Sequence, residues 1–87
     1  MLQQTITITN KLGLHARASA KLVAHANRYG SEILIKRNNQ TVNGKSILGV
    51  MMLAATQNTE ITLVIKGEDE GQAMEDLSTL ISEGFGE

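Results

Sequence analysis

Two stretches of this 87-residue chain carry side chains whose types and spacing could do chemistry: Gly13-Leu14-His15-Ala16-Arg17 and Gly44-Lys45-Ser46. His15 falls between a glycine-containing break and an Ala-rich segment that begins at Ala16 and reads as a helix to Tyr29. An imidazole there sits at a helix N-terminus, where unpaired N–H groups and the positive end of the macrodipole attract phosphate or another anion. That field favours the neutral ring, which keeps one nitrogen free as a nucleophile near pH 7. Arg17 sharpens the reading, because a cation in the first turn opposes the dipole and makes sense if an anion lands beside it. The bland alternative is a loop histidine next to a solvated arginine. Spacing alone leaves both open.

Ser46 is the second candidate. A serine at a helix N-terminus after a lysine is accessible to a kinase, and a phosphate there suits the dipole. It also reads as a plain N-cap, a position that favours hydroxyls. His25 has no Asp, Glu or Cys at ligand spacing and reads as a surface residue. Two histidines without an H-x-x-x-H pattern make no usual metal site, so no metal is expected. Gly44-Lys45-Ser46 matches only the tail of a P-loop, and no G-x-G-x-x-G is present, so no nucleotide or other cofactor is implied. The run from Ile47 to Leu53 is apolar nearly all round. Val50 and Leu53 fit a core, which leaves Ile47, Leu48 and Met51 as an adaptable partner surface.

The elements that must position these residues follow from periodicity. Leu2, Gln4, Ile6 and Ile8 alternate with Thr5, Thr7 and Thr9, a half-buried strand. In the first helix Ser19, Leu22, Val23 and Ala26 face a core, while Arg17, Lys21, His25 and Arg28 form the opposite stripe, with Gly30 as the stop. Residues 32–37 form a second strand, Asn38-Asn39 a turn, and Thr41-Val42-Asn43 a third strand. A short helix from Ile47 to Ala55 follows Ser46. Residues 60–66 make a fourth strand with Ile61, Leu63 and Ile65 inward. The last helix begins near Asp69 and carries Ala73, Leu77, Leu80 and Ile81 on one stripe. Gly84 and Gly86 read as a frayed end. The order β-α-β-β-α-β-α predicts an α+β open-faced sandwich, a four-stranded, mostly antiparallel sheet covered on one face by three helices.

Composition bounds the rest. Eighty-seven residues with 41% hydrophobic and 20% charged content suit one small folded domain over 1–87. With no Cys, disulfides and thiolate sites are excluded. No apolar run is long enough for a membrane span, and the first residues do not open a signal peptide, so a cytoplasmic protein is expected. Residues 1–45 hold seven bases against one acid, whereas residues 46–87 hold one base against eight acids. A basic half suggests an anion or an acidic partner. One Tyr, one Phe and no Trp leave nothing on which bases could stack, which argues against nucleic acid.

Gly13-Leu14-His15-Ala16-Arg17 and Lys45-Ser46-Ile47-Leu48-Gly49-Val50-Met51, in that order and spacing, resemble the histidine-containing phosphocarrier proteins of the bacterial phosphotransferase system, HPr and its nitrogen-related paralogue NPr. The resemblance covers essentially the whole chain. It implies that His15 accepts a phosphoryl group on Nδ1 from phosphorylated enzyme I, ultimately from phosphoenolpyruvate, and passes it to enzyme IIA domains. Arg17 matches the family's active-site arginine, and the Ala16 and Arg17 backbone N–H groups would hold the phosphoryl oxygens. Ser46 matches the site phosphorylated by HPr kinase/phosphorylase in many members. The docking surface maps onto Ala20, Lys21, Ile47, Leu48 and Met51, and a monomer is expected. The family usually has proline after the arginine, where this chain has Ala18; alanine keeps the helix and restores an N–H donor. A purely regulatory relative that binds partners by phosphorylation state is the alternative, and the presence of His15 argues against it.

Overall fold

Alternation and amphipathic spacing are realised in a computed structural model that describes residues 1–87. The elements are β1 (Leu2–Thr7), α1 (Ala16–Ala26), β2 (Glu32–Arg37), β3 (Gln40–Asn43), α2 (Ile47–Met52), β4 (Glu60–Lys66) and α3 (Glu70–Ser82), followed by a tight turn at Gly84–Gly86. The strands lie in the order β1-β4-β2-β3, and every pairing is antiparallel. Register puts Ile6 opposite Ile61, Ile33 opposite Ile65 and Ile35 opposite Leu63, so one face of the sheet is a continuous aliphatic layer. Leu22 and Ala26 of α1, Val50 of α2, and Ala73, Leu77 and Ile81 of α3 close over that layer. The predicted sandwich is therefore observed, with a sheet that is antiparallel throughout. No helix is long and apolar enough to cross a membrane.

Several boundaries differ from the sequence reading, each for a local reason. Only Ile6 and Ile8 of the first alternation are buried, because Leu2 and Gln4 lie exposed at the start of an edge strand. Helix α1 stops at Ala26 and not Tyr29. Asn27 Nδ2 caps the Val23 carbonyl at 2.9 Å, and Arg28 N and Tyr29 N turn to the carbonyls of His25 and Ala26, tightening the last turn. Gly30 is therefore not the cap; its N–H donates to Asp69 at 2.9 Å. Helix α2 ends at Met52, since Ala54 takes φ 50°, which no helix continues.

The largest correction concerns the expected frayed end. Gly84, Phe85 and Gly86 take φ of 65°, 58° and 76°, three consecutive residues in the left-handed region. This turn swings the Phe85 ring back into the core, where it is 1% exposed. A non-glycine residue in that region costs about 1 kcal/mol, while burying a large aromatic gains about 1.5–3 kcal/mol. Burial wins, so the chain is pinned where the sequence suggested it would fray.

Candidate functional site

The loop between β1 and α1 fixes His15 through its neighbours. Gly13 has φ 64°, and a Cβ there would lie 2.4 Å from the Ala55 carbonyl oxygen, so only glycine fits. Gly13 N donates to Asn10 O at 3.1 Å, Asn10 Nδ2 donates to Gly13 O at 2.7 Å, and Leu14 N donates to Ala55 O at 2.9 Å. The Leu14 side chain is buried, and the buried Ser19 hydroxyl donates to its carbonyl at 3.1 Å. His15 is thus held at the N-cap of α1 between a buried anchor and the first helical turn.

Histidine is a poor choice for an N-cap, and here its ring makes no capping hydrogen bond. The first helical N–H with a partner is that of Ser19, which donates to His15 O at 2.9 Å. The N–H groups of Ala16, Arg17 and Ala18 have no acceptor in the protein. No acid lies in the first turn to offset the dipole. A ring nitrogen, unpaired amides and an arginine therefore share one helix end.

The two ring nitrogens have different surroundings. Nε2 meets the Glu87 carboxylate, whereas Nδ1 has no partner. Glu87 also accepts from Asn10 Nδ2 at 3.1 Å. The hydrogen bond from His15, and after it the one from Asn10, hold the Glu87 carboxyl below the usual carboxylate range. Leu12, His15, Ala16, Arg17 and Glu87 line an open depression of about 620 Å³. Arg17 is exposed there and makes no hydrogen bond or ion pair. Asn10, Leu12 and Glu87 were not among the site residues read from the sequence.

The remaining candidates separate into engaged and free groups. Ala20 is exposed on α1, which packs against both α2 and α3. Lys21 Nζ donates to Phe85 O at 2.7 Å, and Lys45 Nζ donates to Tyr29 O at 2.7 Å. Of Arg17, Lys21 and Lys45, only Arg17 makes no hydrogen bond or ion pair. Ser46 caps α2, its hydroxyl oxygen accepting from Gly49 N at 3.1 Å, and its own proton has no acceptor in the protein. Ile47, Leu48, Met51 and also Met52 are exposed, while Val50 and Leu53 are buried. Their division follows the expectation.

His25 is not the plain surface residue that spacing suggested. Its Nδ1 lies 2.8 Å from Asp76 on α3, whose other oxygen accepts from the Tyr29 hydroxyl at 2.6 Å. The bond to Asp76 pushes the Tyr29 hydroxyl up from its ordinary pKa. The carboxylate was invisible to local spacing because it is 51 residues away. This cluster ties α1 to α3 and takes His25 out of any catalytic role.

A family model described as "PTS HPr component phosphorylation site" matches residues 2–83, the span that carries the His15 loop, α1 and α2. The chain belongs to the HPr family. Among its relatives, the phosphocarrier protein HPr of Neisseria meningitidis is 53% identical over 87 residues, covering all of this chain and 98% of that protein. The HPr-like protein Crh of Bacillus subtilis is 42% identical over 83 residues, with 95% and 98% coverage. The crystal structure of HPr from Thermoanaerobacter tengcongensis superposes with a TM-score of 0.97 at 42% identity, covering 100% of this chain and 98% of that one. Membership in the HPr family brings with it a phosphocarrier role in the phosphotransferase system.

Proposed function

We propose that this HPr-family chain carries a phosphoryl group on Nδ1 of His15. The unpartnered Nδ1 at a helix end whose amides are unpaired supports this reading above all. The Nδ1 lone pair forms the new bond to phosphorus as the bond to the donor histidine of phosphorylated enzyme I breaks. Phosphoenolpyruvate is the original donor, and the acceptor is a histidine on an enzyme IIA domain. Amides of Ala16 and Arg17 and the Arg17 guanidinium neutralise the phosphoryl oxygens without enclosing them, which keeps the group transferable.

Partners dock on Ala20, Ile47, Leu48 and Met51, with Arg17 and Lys21 at the rim. This apolar patch with a basic edge suits acidic proteins, and steering weakens as salt rises. Ser46 is the regulatory position. Its uncommitted proton marks a hydroxyl open to HPr kinase/phosphorylase, and a phosphate would add about −1.5 to −2 charges beside the docking patch. The working unit is a cytoplasmic monomer. Related proteins have been solved as dimers, so light scattering at working concentration checks the monomer.

Incubation with phosphoenolpyruvate and enzyme I tests the carrier role. An acid-labile phosphate that disappears in His15→Ala is the expected result. An unlabelled chain, or full labelling of the variant, rejects it.

A further inference from the structure

The four methionines of the chain stand in different surroundings. Met74 is sealed in the core at 7% exposure, Met1 is exposed at the start of the chain, and Met51 and Met52 lie on α2 at 39% and 70% exposure. We propose that Met51 and Met52 form a reversible oxidation site, at which a peroxide converts the thioethers to sulfoxides and weakens docking of the phosphotransfer partner. The proposal rests on the docking role given above to α2.

Helical spacing sets Met51 one turn from Ile47 and Met52 one turn from Leu48, so both side chains belong to one exposed apolar patch. Val50 and Leu53 take the inward positions, which leaves neither methionine a place in the core. The backbone beneath them is held by other groups. Gly49 N donates to Ser46 Oγ at one end, and at the other Ala54 N donates to Met51 O at 3.1 Å and Arg37 Nη1 to Leu53 O at 2.9 Å. Oxidation therefore changes the surface and leaves the helix in place. With hydrogen peroxide, a thioether sulfur attacks one peroxide oxygen, the S–O bond forms as the O–O bond breaks, and sulfur gives up two electrons. The departing hydroxide takes the proton from the transferred oxygen and leaves as water. Two thiols of a reductase reverse the step, becoming a disulfide and releasing the oxygen as water. A sulfoxide is a polar acceptor where the thioether was apolar and pliable. No donor side chain lies on α2 to satisfy it, so a partner that covers the patch strips its water without return.

In the test, the intact protein is treated with hydrogen peroxide and oxygen uptake is mapped by peptide mass spectrometry. Met51 and Met52 are expected to oxidise together with exposed Met1, while Met74 reacts only after unfolding. Circular dichroism should stay unchanged, KM for phosphorylated enzyme I should rise about 10-fold with kcat unaltered, and a methionine sulfoxide reductase should restore it. The double variant Met51→Leu/Met52→Leu keeps an apolar patch and still oxidises at Met1, so peroxide should not change its KM. Three results overturn the proposal: oxidation of Met74 in the folded chain as fast as Met51 and Met52, an unchanged KM after both are oxidised where Leu48→Ala raises it, or a peroxide-induced rise that persists in the double variant. An unoxidised Leu48→Ala variant with unaltered KM instead overturns the docking role of α2, and the two failures are seen in different proteins.

Discussion

Lys21 Nζ donates to the Phe85 carbonyl at 2.7 Å, joining the second turn of α1 to the turn after α3. This bond and the buried Phe85 ring hold the left-handed turn in place, so its stability is that of a core and not of a loop. Phe85→Ala is expected to cost about 3–5 kcal/mol in urea unfolding, as for other buried aromatics. A loss under about 1 kcal/mol would show that the turn is detached in solution.

Removal of Arg17 should have opposite effects on folding and on phosphoryl transfer. Removing a cation from the first turn of α1 relieves the dipole, so Arg17→Ala should leave stability unchanged or raise it by about 0.3 kcal/mol. Phosphoryl transfer should fall about 100-fold. Unimpaired transfer kinetics in this variant would remove Arg17 from the site.

At Ser46, cap and charge can be separated. Ser46→Ala removes the bond from Gly49 N and should cost about 1 kcal/mol of stability. Ser46→Asp keeps a good capping oxygen, so thermal unfolding should barely change while, if the docking partner is acidic as proposed, transfer from phosphorylated enzyme I slows, most at low salt. Slowing that is the same at low and high salt would contradict the electrostatic account.

Asp69 reports on acid stability. The Ser31 hydroxyl first, and then the Gly30 amide, hold its carboxyl below the ordinary value. A depressed folded pKa means that the stabilisation is fully present above the unfolded value of about 3.9 and is lost as pH falls through the folded one. Asp69→Ala should therefore be less stable at pH 7 and pH 5 alike, with the gap narrowing only below about pH 4. A gap that narrows between pH 7 and pH 5 would point to another group.

Gly13→Ala places a Cβ against the Ala55 carbonyl at φ 64°. It should destabilise by more than about 1 kcal/mol and shift the His15 NMR signals, since Leu14 N bonds that same carbonyl. An unshifted His15 would show that the loop relaxes without moving the ring.

Much of the fold was legible because it rests on local pattern. The alternation at Ile61, Leu63 and Ile65, the Asn38-Asn39 turn and the Ser46 cap each involve neighbours within a few positions, and each stands in the structure. Exposure of Ile47, Leu48 and Met51 was also readable, since a short helix that is apolar nearly all round cannot bury every side. Helix ends were less so. Helix α1 ends at Ala26 because Asn27 Nδ2 takes the Val23 carbonyl and the next two amides turn to His25 and Ala26, a choice between two helix ends that spacing does not make. Gly30 is held instead by Asp69, 39 residues away.

His15, Arg17 and the helix end they share follow from the sequence alone, because a glycine break before an Ala-rich helix is a local instruction. Lone Phe85 between two glycines was a signal of the same kind: an aromatic with left-handed freedom on both sides could have been read as a plug. What it delivers could not. Glu87 lies 72 residues from His15. Its contact with Nε2 exists only once α3 has packed on β1, Phe85 has entered the core and Lys21 has closed on its carbonyl. Residue types and spacing determined that an imidazole stands at the N-terminus of α1. Only tertiary packing, which alone brings distant charges into hydrogen-bond range, decided which of its two nitrogens is left free.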